Sequence, residues 1–448
     1  MTGHGAEAGA AIFGLDPLWL STFILVVTYA VLLSEKIHRT IVALVGAGLV
    51  VVTGVITQDQ AIAGIDFNTI ALLTGMMIIV AVTRRTGVFE FVAIWSAKRV
   101  RAEPFGILIM LSIITAVFSA LLDNLTTVLL VVPVALLLVD KLQVSPYPFL
   151  ASQTLASNIG GTATLIGDPP NILIGSATGF SFNQFLFELG PVALVVFVVA
   201  LGIFYLIWGK SLNTTEERRN RVMEFRETDS LTDRVLLIQC LTILALVIAG
   251  FIIGEHYAIR PGTTAMFGAS VLLLVTSLGK DRKGQSTRLR DALEEVEWGA
   301  LFFFIGLFIV VTGVEHAGLL TMLAKELMRL TAGDPATTAY ATMWLAAIVS
   351  AAVDNIPFVA TMIPLVESME QGLGGAAMLE PVWWSLALGA CLGGNGTLIG
   401  AAANVMVAGL SERAGHPIGF VRFLAIGIPV MLLSVAIANV AIYLRHFM

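Results

Sequence analysis

Long apolar segments alternate with short polar loops along almost the whole chain. A helix that crosses the hydrocarbon core of a bilayer needs roughly 17 to 25 mostly apolar residues, and many of these segments reach that length. The pattern therefore predicts a polytopic all-α membrane protein. We place ten crossings near residues 18–33, 40–57, 67–83, 147–180, 187–208, 234–254, 262–279, 297–316, 381–411 and 423–444.

Two further apolar stretches, 105–139 and 335–370, are each interrupted at the centre by an Asp-Asn pair. We interpret them as re-entrant hairpins that enter the membrane and return to the same side. The alternative is that each stretch forms two tight crossings. The amphipathic segments 84–100 and 317–330 are typical of helices that lie along the membrane surface.

A polar, glycine-rich motif occurs twice and interrupts two of the predicted crossings. Glycine and proline weaken a helix, and proline also removes a backbone donor. Non-helical backbone is tolerated inside a membrane only where it is buried in protein or lines a cavity. Paired interruptions of this kind point to a transport site. The two copies read Gly160-Gly161-Thr162-Ala163-Thr164-Leu165-Ile166-Gly167-Asp168-Pro169-Pro170-Asn171 and Gly393-Gly394-Asn395-Gly396-Thr397-Leu398-Ile399-Gly400-Ala401-Ala402-Ala403-Asn404.

The landmarks of the two halves keep one spacing. The same 231 residues separate Gly75 from Gly306, Gly87 from Gly318, and Asp123 from Asp354. We therefore predict two repeats of inverted topology, each with one hairpin and one broken helix. The predicted domains are a short tail 1–17, repeat one 18–208, a charged linker 209–233 and repeat two 234–446.

Composition supports the membrane assignment. Of the 448 residues, 57% are hydrophobic and 12% are charged, whereas soluble domains average about 25% charged residues. The tail lacks Lys and Arg and therefore does not resemble a signal peptide. The two cysteines, Cys240 and Cys391, are far apart in sequence, which argues against a disulfide framework.

Basic residues set the expected orientation, because cytoplasmic loops carry an excess of Lys and Arg. If the linker is cytoplasmic, all but four of the 25 basic residues lie inside. The exceptions are Arg260, Lys325, Arg329 and Arg445. We predict a multi-pass protein of the plasma (inner) membrane with both termini outside.

Three aspartates are the leading site candidates, because ionisable residues inside a membrane are costly and mark functional sites. Asp123 and Asp354 occupy the two predicted hairpin tips, and Asp168 lies in the first break, where the second copy has Ala401. We expect them to bind a proton or a cation. The alternative is that each caps the helix that follows it, and capping is compatible with binding.

Neutral side chains and glycines complete the predicted site. Asn and Thr oxygens and exposed backbone carbonyls suit a cation, whereas the same amides are also common in interhelical hydrogen bonds. We expect a Na⁺ site, if present, at Asp123, Asn124, Asp354 and Asn355. The remaining candidates are Thr126, Thr127, Asn158, Gly160, Gly161, Thr162, Asn171, Gly393, Gly394, Asn395, Thr397 and Asn404.

At these residues the chain resembles the ion transporter superfamily. This group includes arsenite permeases, NhaD-type sodium/proton antiporters, the melanosomal P protein and sodium-coupled dicarboxylate and citrate carriers. The stretch from Asn158 to Asn171, together with Asp123-Asn124-Leu125-Thr126-Thr127, looks most like the P-protein and arsenite-permease branch. The resemblance implies a homodimer in which a transport region moves past a scaffold like an elevator.

One departure from the superfamily affects the predicted substrate. The dicarboxylate carriers have Ser-Asn-Thr at the tips, whereas this chain has aspartate at both tips and Pro357 in place of the second threonine. Two added carboxylates favour a proton or Na⁺ over a dianion.

These features predict an ion-coupled secondary transporter. We favour proton-coupled efflux of arsenite or antimonite, because no Arg or Lys lies in the two breaks and arsenite is mostly uncharged at neutral pH. Sodium/proton exchange fits equally well, and a sodium-coupled di- or tricarboxylate carrier fits less well.

An enzyme is not expected, since the Gly-x-Gly-Asp stretch of an intramembrane aspartyl protease is missing. The chain also has no phosphate-binding loop, so any ATPase that takes part would be a separate subunit. No cofactor and no nucleic acid partner are expected. The expected partners are the lipid bilayer, a second copy of the chain and a small inorganic substrate, and the coupling ion is H⁺ or Na⁺.

Overall fold

A computed structural model describes residues 15–34 and 36–448, and these residues form helices and short connections without a β-strand. Most of the predicted tail lies outside the described residues. The helices of the first half are α1 (Pro17–Ser34), α2 (Arg39–Val52), α3 (Gln58–Ala63), α4 (Phe67–Arg84), α5 (Val88–Arg99), α6 (Pro104–Leu121), α7 (Asn124–Leu142), α8 (Tyr147–Thr162), α9 (Pro169–Thr178), α10 (Phe182–Glu188), α11 (Gly190–Trp208) and α12 (Glu216–Met223).

The second half repeats this order. Its helices are α13 (Arg234–Ile253), α14 (Pro261–Ser277), α15 (Arg282–Glu294), α16 (Trp298–His316), α17 (Leu319–Leu330), α18 (Pro335–Ala352), α19 (Asn355–Glu367), α20 (Glu370–Leu373), α21 (Ala376–Gly393), α22 (Ala402–Arg413) and α23 (Phe420–Ile442). Nine helices within the described residues are long and apolar enough to cross a membrane. The prediction of an all-helical membrane protein is confirmed.

Both predicted hairpins are present, and matching hydrogen bonds hold them. In repeat one, α6 and α7 meet at Asp123, and the Ser119 hydroxyl donates to the Ser157 carbonyl across 2.5 Å. In repeat two, α18 and α19 meet at Asp354, and Ser350 donates to the Ala390 carbonyl across 2.7 Å. Each hairpin is therefore fixed to the broken helix of its own repeat in the same way.

The two breaks are also equivalent in structure. Each lies between half-helices, α8 and α9 in repeat one and α21 and α22 in repeat two. The amide of Asn171 donates to the Thr162 and Thr164 carbonyls at 3.1 and 2.9 Å. The amide of Asn404 donates to the Gly394 and Thr397 carbonyls, both at 2.7 Å. One asparagine thus satisfies unpaired carbonyls across each break, as buried backbone groups require.

The helices form two groups. The first, here called the wall, consists of α1, α2, α4, α13, α14 and α16, in which α4 packs along α14 and α16 along α2. A Cβ on Gly75 would lie 2.5 Å from the Ala265 carbonyl carbon, and one on Gly306 would lie 2.7 Å from that of Ala43. These glycines therefore allow the two closest helix contacts of the wall, and this explains their equal spacing in the sequence.

The second group, here called the body, consists of the hairpins, the broken helices, α11 and α23. Two arms, α5 and α17, connect the wall to the hairpins. The helix α17 is amphipathic as predicted, whereas the prediction is wrong for α5, whose apolar and polar residues do not lie on opposite faces. Each arm begins after a glycine in the left-handed region, with φ of 74° at Gly87 and 86° at Gly318. Glycine adopts this backbone without strain, so the second pair of sequence landmarks marks the turns into the arms.

Contacts between loops define one side of the molecule, here called the linker side. The Thr232 hydroxyl in the linker donates to the Arg85 carbonyl, and Arg85 pairs with Asp291 at 2.9 Å. Lys98 of α5 pairs with Glu227 at 2.6 Å, and this neighbour lowers the pKa of the Glu227 carboxyl. Arg84 and Arg85 thus belong to a surface ion-pair cluster. The opposite side, with the 53–66 and 254–260 connections, is called the far side.

Candidate functional site

The two hairpin tips and the two breaks meet in the middle of the body. The backbone N–H of Asn124 donates to the Gly167 carbonyl across 3.0 Å, which joins the first tip to the first break. The amide of Asn355, at the second tip, donates to the Asp168 carboxylate across 3.3 Å. The structure therefore joins the first tip to the backbone of the first break, and the second tip to the Asp168 carboxylate of the same break.

Asp168 is fully buried at this junction. It begins α9, but its side chain makes no capping hydrogen bond. Its surroundings are the amides of Asn124 and Asn355 and the thiol of Cys391. The carboxylate thus faces neutral groups, whereas the sequence allowed a cap before the two prolines as the alternative.

Asp123 has the capping role and is also almost completely buried. Its carboxylate accepts from the Thr126 backbone N–H at 2.8 Å and from the Thr126 hydroxyl at 2.5 Å. Among the described residues, neither Asp123 nor Asp168 forms an ion pair with Lys, Arg or His.

Asp354 also caps its helix, since its carboxylate accepts from the Ile356 backbone N–H at 3.2 Å, but it differs from the other two aspartates because it is paired with a cation. Its carboxylate lies 3.2 Å from the guanidinium of Arg39, which begins α2 in the wall. The Arg39 side chain is 33% exposed and that of Asp354 is 22% exposed. Arg39 also lies over the Phe303 ring, 5.4 Å from its centroid. Sequence reasoning treated Arg39 as a marker of the membrane surface and missed its place at the site, because no local pattern joins residues 39 and 354.

Buried amides connect the two repeats behind the tips. The Asn158 amide donates to the Asn404 and Asn395 side-chain oxygens at 2.8 and 3.1 Å. At the matching position of repeat two, the Cys391 thiol donates to the Asn171 oxygen at 3.4 Å. Each broken helix therefore holds the asparagine that clamps the other break, which gives the centre of the body a two-fold arrangement.

The remaining predicted residues lie in the same region and mostly serve the fold. Thr162 donates to the Asn158 carbonyl, and Thr397 to the Ala351 carbonyl. The glycines allow close backbone contacts, and the hydroxyl of Thr127 is buried without a hydrogen-bond partner in the described part of the chain. The glycines concerned are Gly160 beside Ala116, Gly161 beside Gly167, Gly393 beside Ala347 and Gly394 beside Gly400.

A small void of about 30 Å³ lies between the tips and the wall. Asp123, Asp168, Asn124 and Asn355 line its body face, together with Arg39 of the wall. No three His, Cys, Asp or Glu side chains of residues 15–34 and 36–448 converge as a metal centre. An ion in this void would therefore depend on amide and backbone oxygens as well as carboxylates.

The wall presents a mostly apolar face to the void, which no pattern in the sequence indicated. Apart from Arg39, its side chains come from α4 and α16 and are Leu73, Met77, Ala300, Phe303 and Phe304. A charged group gains nothing from contact with these apolar side chains, so the polar lining of the void comes from the body and from Arg39.

Larger cavities lie on both sides of the void. The linker-side cavity, of about 480 Å³, contains Arg39, Glu297, Asp354 and Arg413 and shares Arg39 and Phe303 with the void. The far-side cavity, of about 500 Å³, contains Asp66, Arg260, Glu315 and Glu367.

Residues 29–389 match the CitMHS family of citrate transporters. The match covers most of the chain and includes the wall from the end of α1 onward, both hairpins and the first break. The protein belongs to the CitMHS citrate transporter family. This confirms the expected placement in the ion transporter superfamily.

Several relatives of this CitMHS protein are described as transporters or as a membrane protein. An uncharacterized transporter of Mycobacterium tuberculosis is 42% identical over 95% of this chain and 97% of its own length. The P protein of Mus musculus is 31% identical over 94% of this chain and 60% of its own length. The second match agrees with the P-protein branch named from the motifs.

The fold of the CitMHS protein is similar to a solved transporter structure. The YdaH transporter of Alcanivorax borkumensis, described as having an unusual topology, superposes with a TM-score of 0.61 at 14% identity. The alignment covers 96% of this chain and 98% of the other. The arrangement of the helices is therefore that of a transporter.

Proposed function

We propose that the protein is a secondary transporter that exchanges a small cation, Na⁺ or Li⁺, for protons. The observation that carries this proposal is the void of about 30 Å³ lined by Asp123, Asp168, Asn124 and Asn355. A volume of this size admits a water molecule or a bare ion. Carboxylate and amide oxygens are the ligands that hard cations prefer.

Asp168 is proposed to carry the coupling step. A charged carboxylate buried in a membrane protein is costly without a counter-ion, and Asp168 has neutral neighbours. It is therefore expected to hold either a proton or a cation whenever the site is closed. Because both compete for the same oxygens, loading a cation from one side releases a proton there.

Movement of the body against the wall is the proposed way to expose the site alternately. The linker-side cavity supports this idea, because it includes Asp354 of the second tip and shares Arg39 and Phe303 with the void. Within the described residues, the far-side cavity contains no residue of either tip, so the movement would have to open the site to that side. The elevator-like movement and the homodimer implied by the resemblance are parts of this proposal. So is an inner-membrane location with a cytoplasmic linker, which the distribution of Lys and Arg supports.

Transport of a di- or tricarboxylate is a second candidate, favoured by one observation. The linker-side cavity of about 480 Å³ contains Arg39 and Arg413, and guanidinium groups bind carboxylates in a bidentate manner. The name of the family points in the same direction. Proton-coupled efflux of arsenite or antimonite is supported by the neutral amides of Asn124 and Asn355, which suit an uncharged hydroxide.

Everted membrane vesicles that contain the protein separate these functions. The vesicles are energised to acidify their interior, a pH-reporting dye follows the gradient, and Na⁺, Li⁺, arsenite or citrate is added in turn. Vesicles from the same host without the protein are the control. Proton release on addition of Na⁺ or Li⁺, with an apparent affinity that falls as the pH falls, is the expected result.

Other outcomes redirect the proposal. Proton release with arsenite alone would replace cation exchange by metalloid efflux. A change in the pH gradient on addition of citrate alone would favour transport of a di- or tricarboxylate. No response to any of the four would contradict proton-coupled exchange.

A further inference from the structure

We infer that Arg39 is a tethered cation that occupies the ion position of the second hairpin tip in this conformation, so that mobile ions bind at the first tip only while the pair is formed. The inference rests on the proposed function, since it assigns which half of the site exchanges ions. It assigns to Arg39 the role of setting how many cations each protein chain binds.

The two tips begin with the same Asp-Asn pair, but the two aspartates have unequal partners. Both carry Asp-Asn, and both aspartates lie at the N-terminus of the second hairpin helix. Asp123 accepts hydrogen bonds from the neutral Thr126, whereas Asp354 lies 3.2 Å from the Arg39 guanidinium. Pro357, which replaces a hydroxyl at the matching position, leaves Asp354 without the equivalent neutral donor.

Arg39 comes from the wall, and repeat symmetry provides no second copy of it. The close contacts of Gly306 with Ala43 and of Gly75 with Ala265 align α2 with α14. This alignment places Pro261 at the position of Arg39. The neighbouring Arg260 lies in the far-side cavity and forms no ion pair with Asp123 among the described residues. A fixed cation is therefore present at one tip and missing at the other.

The geometry lets Arg39 replace a mobile ion. Its guanidinium lines both the void and the linker-side cavity, so it stands where a cation from that cavity would reach Asp354. The Phe303 ring supports its other face at 5.4 Å, an arrangement that favours a cation. Removing the guanidinium leaves a carboxylate that is open to the cavity and free to bind a cation from solution.

The test measures the number of ions bound per chain rather than the rate of transport. Purified protein in lipid nanodiscs is equilibrated with ²²Na⁺ at alkaline pH, where protons compete least with Na⁺ for the carboxylates. The number of bound ions per chain is then measured at saturation. Arg39→Gln is expected to bind one Na⁺ more than the wild type. Arg39→Lys keeps a tethered cation and is expected to bind the wild-type number.

Two controls make the count specific. The double variant Arg39→Gln/Asp354→Asn is expected to return to the wild-type number, because the freed carboxylate is gone. Arg413→Gln removes a positive charge from the same cavity without touching Asp354 and is expected to leave the number unchanged. Each variant is first shown to elute as a single species in size-exclusion chromatography.

Equal numbers of bound ions in Arg39→Gln and the wild type would overturn the inference, and so would an added ion in Arg413→Gln. The proposed function fails in a different way, by the absence of ion-dependent proton movement in the wild type. Because binding is counted on purified protein, an Arg39→Gln variant that no longer transports still decides the question.

Discussion

At the residue scale, three aspartates share one chemistry in three environments. Asp123 is bound to Thr126, Asp168 faces amides and a thiol, and Asp354 is paired with Arg39. Neutral surroundings make the charge on Asp168 depend most strongly on a bound proton or cation. This residue is therefore where substitution separates coupling from folding.

We expect Asp168→Asn to abolish cation-dependent proton movement while the protein still folds. The amide has nearly the same shape and is accommodated by the amides around it, but it cannot bind a proton or attract a cation. Dye-reported exchange in vesicles, with the amount of protein measured alongside, provides the comparison. Asp140→Asn, at the exposed end of α7, is the matched control. Normal exchange by Asp168→Asn would show that coupling resides elsewhere.

Asn404 is expected to matter for stability. Its amide satisfies two carbonyls of the second break and its oxygen accepts from Asn158. An unsatisfied buried polar group costs about 1–3 kcal/mol, so Asn404→Ala should lower the thermal midpoint of the purified protein clearly. Asn213→Ala in the exposed linker, where one hydrogen bond is lost, should have little effect. An unchanged thermal midpoint for Asn404→Ala would mean that the hydrogen bonds of Asn404 do not stabilise the second break.

At the element scale, helix contact in the wall depends on glycines that leave no space for a methyl group. The sequence showed Gly75 and Gly306 as landmarks without giving their role, because periodicity does not reveal which helix lies opposite. The structure supplies the partner helices, α14 and α2. Small residues at helix contacts are common in membrane proteins, where backbones approach closely.

Gly75→Ala should destabilise the protein, whereas Gly48→Ala should not. A Cβ at position 75 would lie 2.5 Å from the Ala265 backbone, but nothing lies within 4 Å of one at position 48. Overpacking typically costs about 1–3 kcal/mol, while alanine is favoured over glycine in a helix by about 1 kcal/mol. Thermal unfolding of the two variants checks the contrast. Equal thermal midpoints for the two variants would show that the wall accommodates the added methyl group at position 75 without loss of stability.

The elements themselves could be predicted from the sequence to a large extent. Hydrophobic length predicted the long apolar helices but not which of them cross, since α6 and α7 of the first hairpin are as long and apolar as the others. The doubled motif predicted the breaks, since α8 ends at Thr162 and α21 at Gly393, within the two copies. The hairpins followed from Asp123 and Asp354. The ion pair of Arg39 and the apolar face of the wall could not be predicted, because they depend on side chains that meet from distant segments.

At the scale of the whole molecule, the described residues of wall and body touch through a few polar contacts near the site, and the Arg39–Asp354 ion pair is one of them. The Asn68 amide of α4 donates to the Ser176 hydroxyl of α9 across 3.1 Å. The Tyr29 hydroxyl of α1 contacts Pro357 and Thr361 of α19, both at 2.6 Å. Contacts of this kind can break and form again when two bodies slide, and this gives the proposed movement a direct test.

A disulfide between wall and body should stop transport reversibly. In the double variant Asn68→Cys/Ser176→Cys, oxidation is expected to abolish cation-dependent proton movement, and reduction to restore it. The pair Gly250→Cys/Thr264→Cys joins two helices of the wall, where the Cβ atoms would lie 3.9 Å apart, and its oxidation should leave transport unchanged. Continued transport with the first pair fully cross-linked would contradict movement of the body past the wall.

The cross-repeat bonds at the centre of the body also have a consequence for biosynthesis. Asn158 and Asp168 are made long before Asn404 and Asn355, the partners that satisfy them. At a synthesis rate of about 5–20 residues per second, the first break remains in the membrane for roughly 10–50 s without these partners. During this interval the unpaired polar groups of the nascent half depend on water, lipid headgroups or a chaperone. The length of the second repeat therefore sets how long each new molecule is exposed to misassembly and degradation.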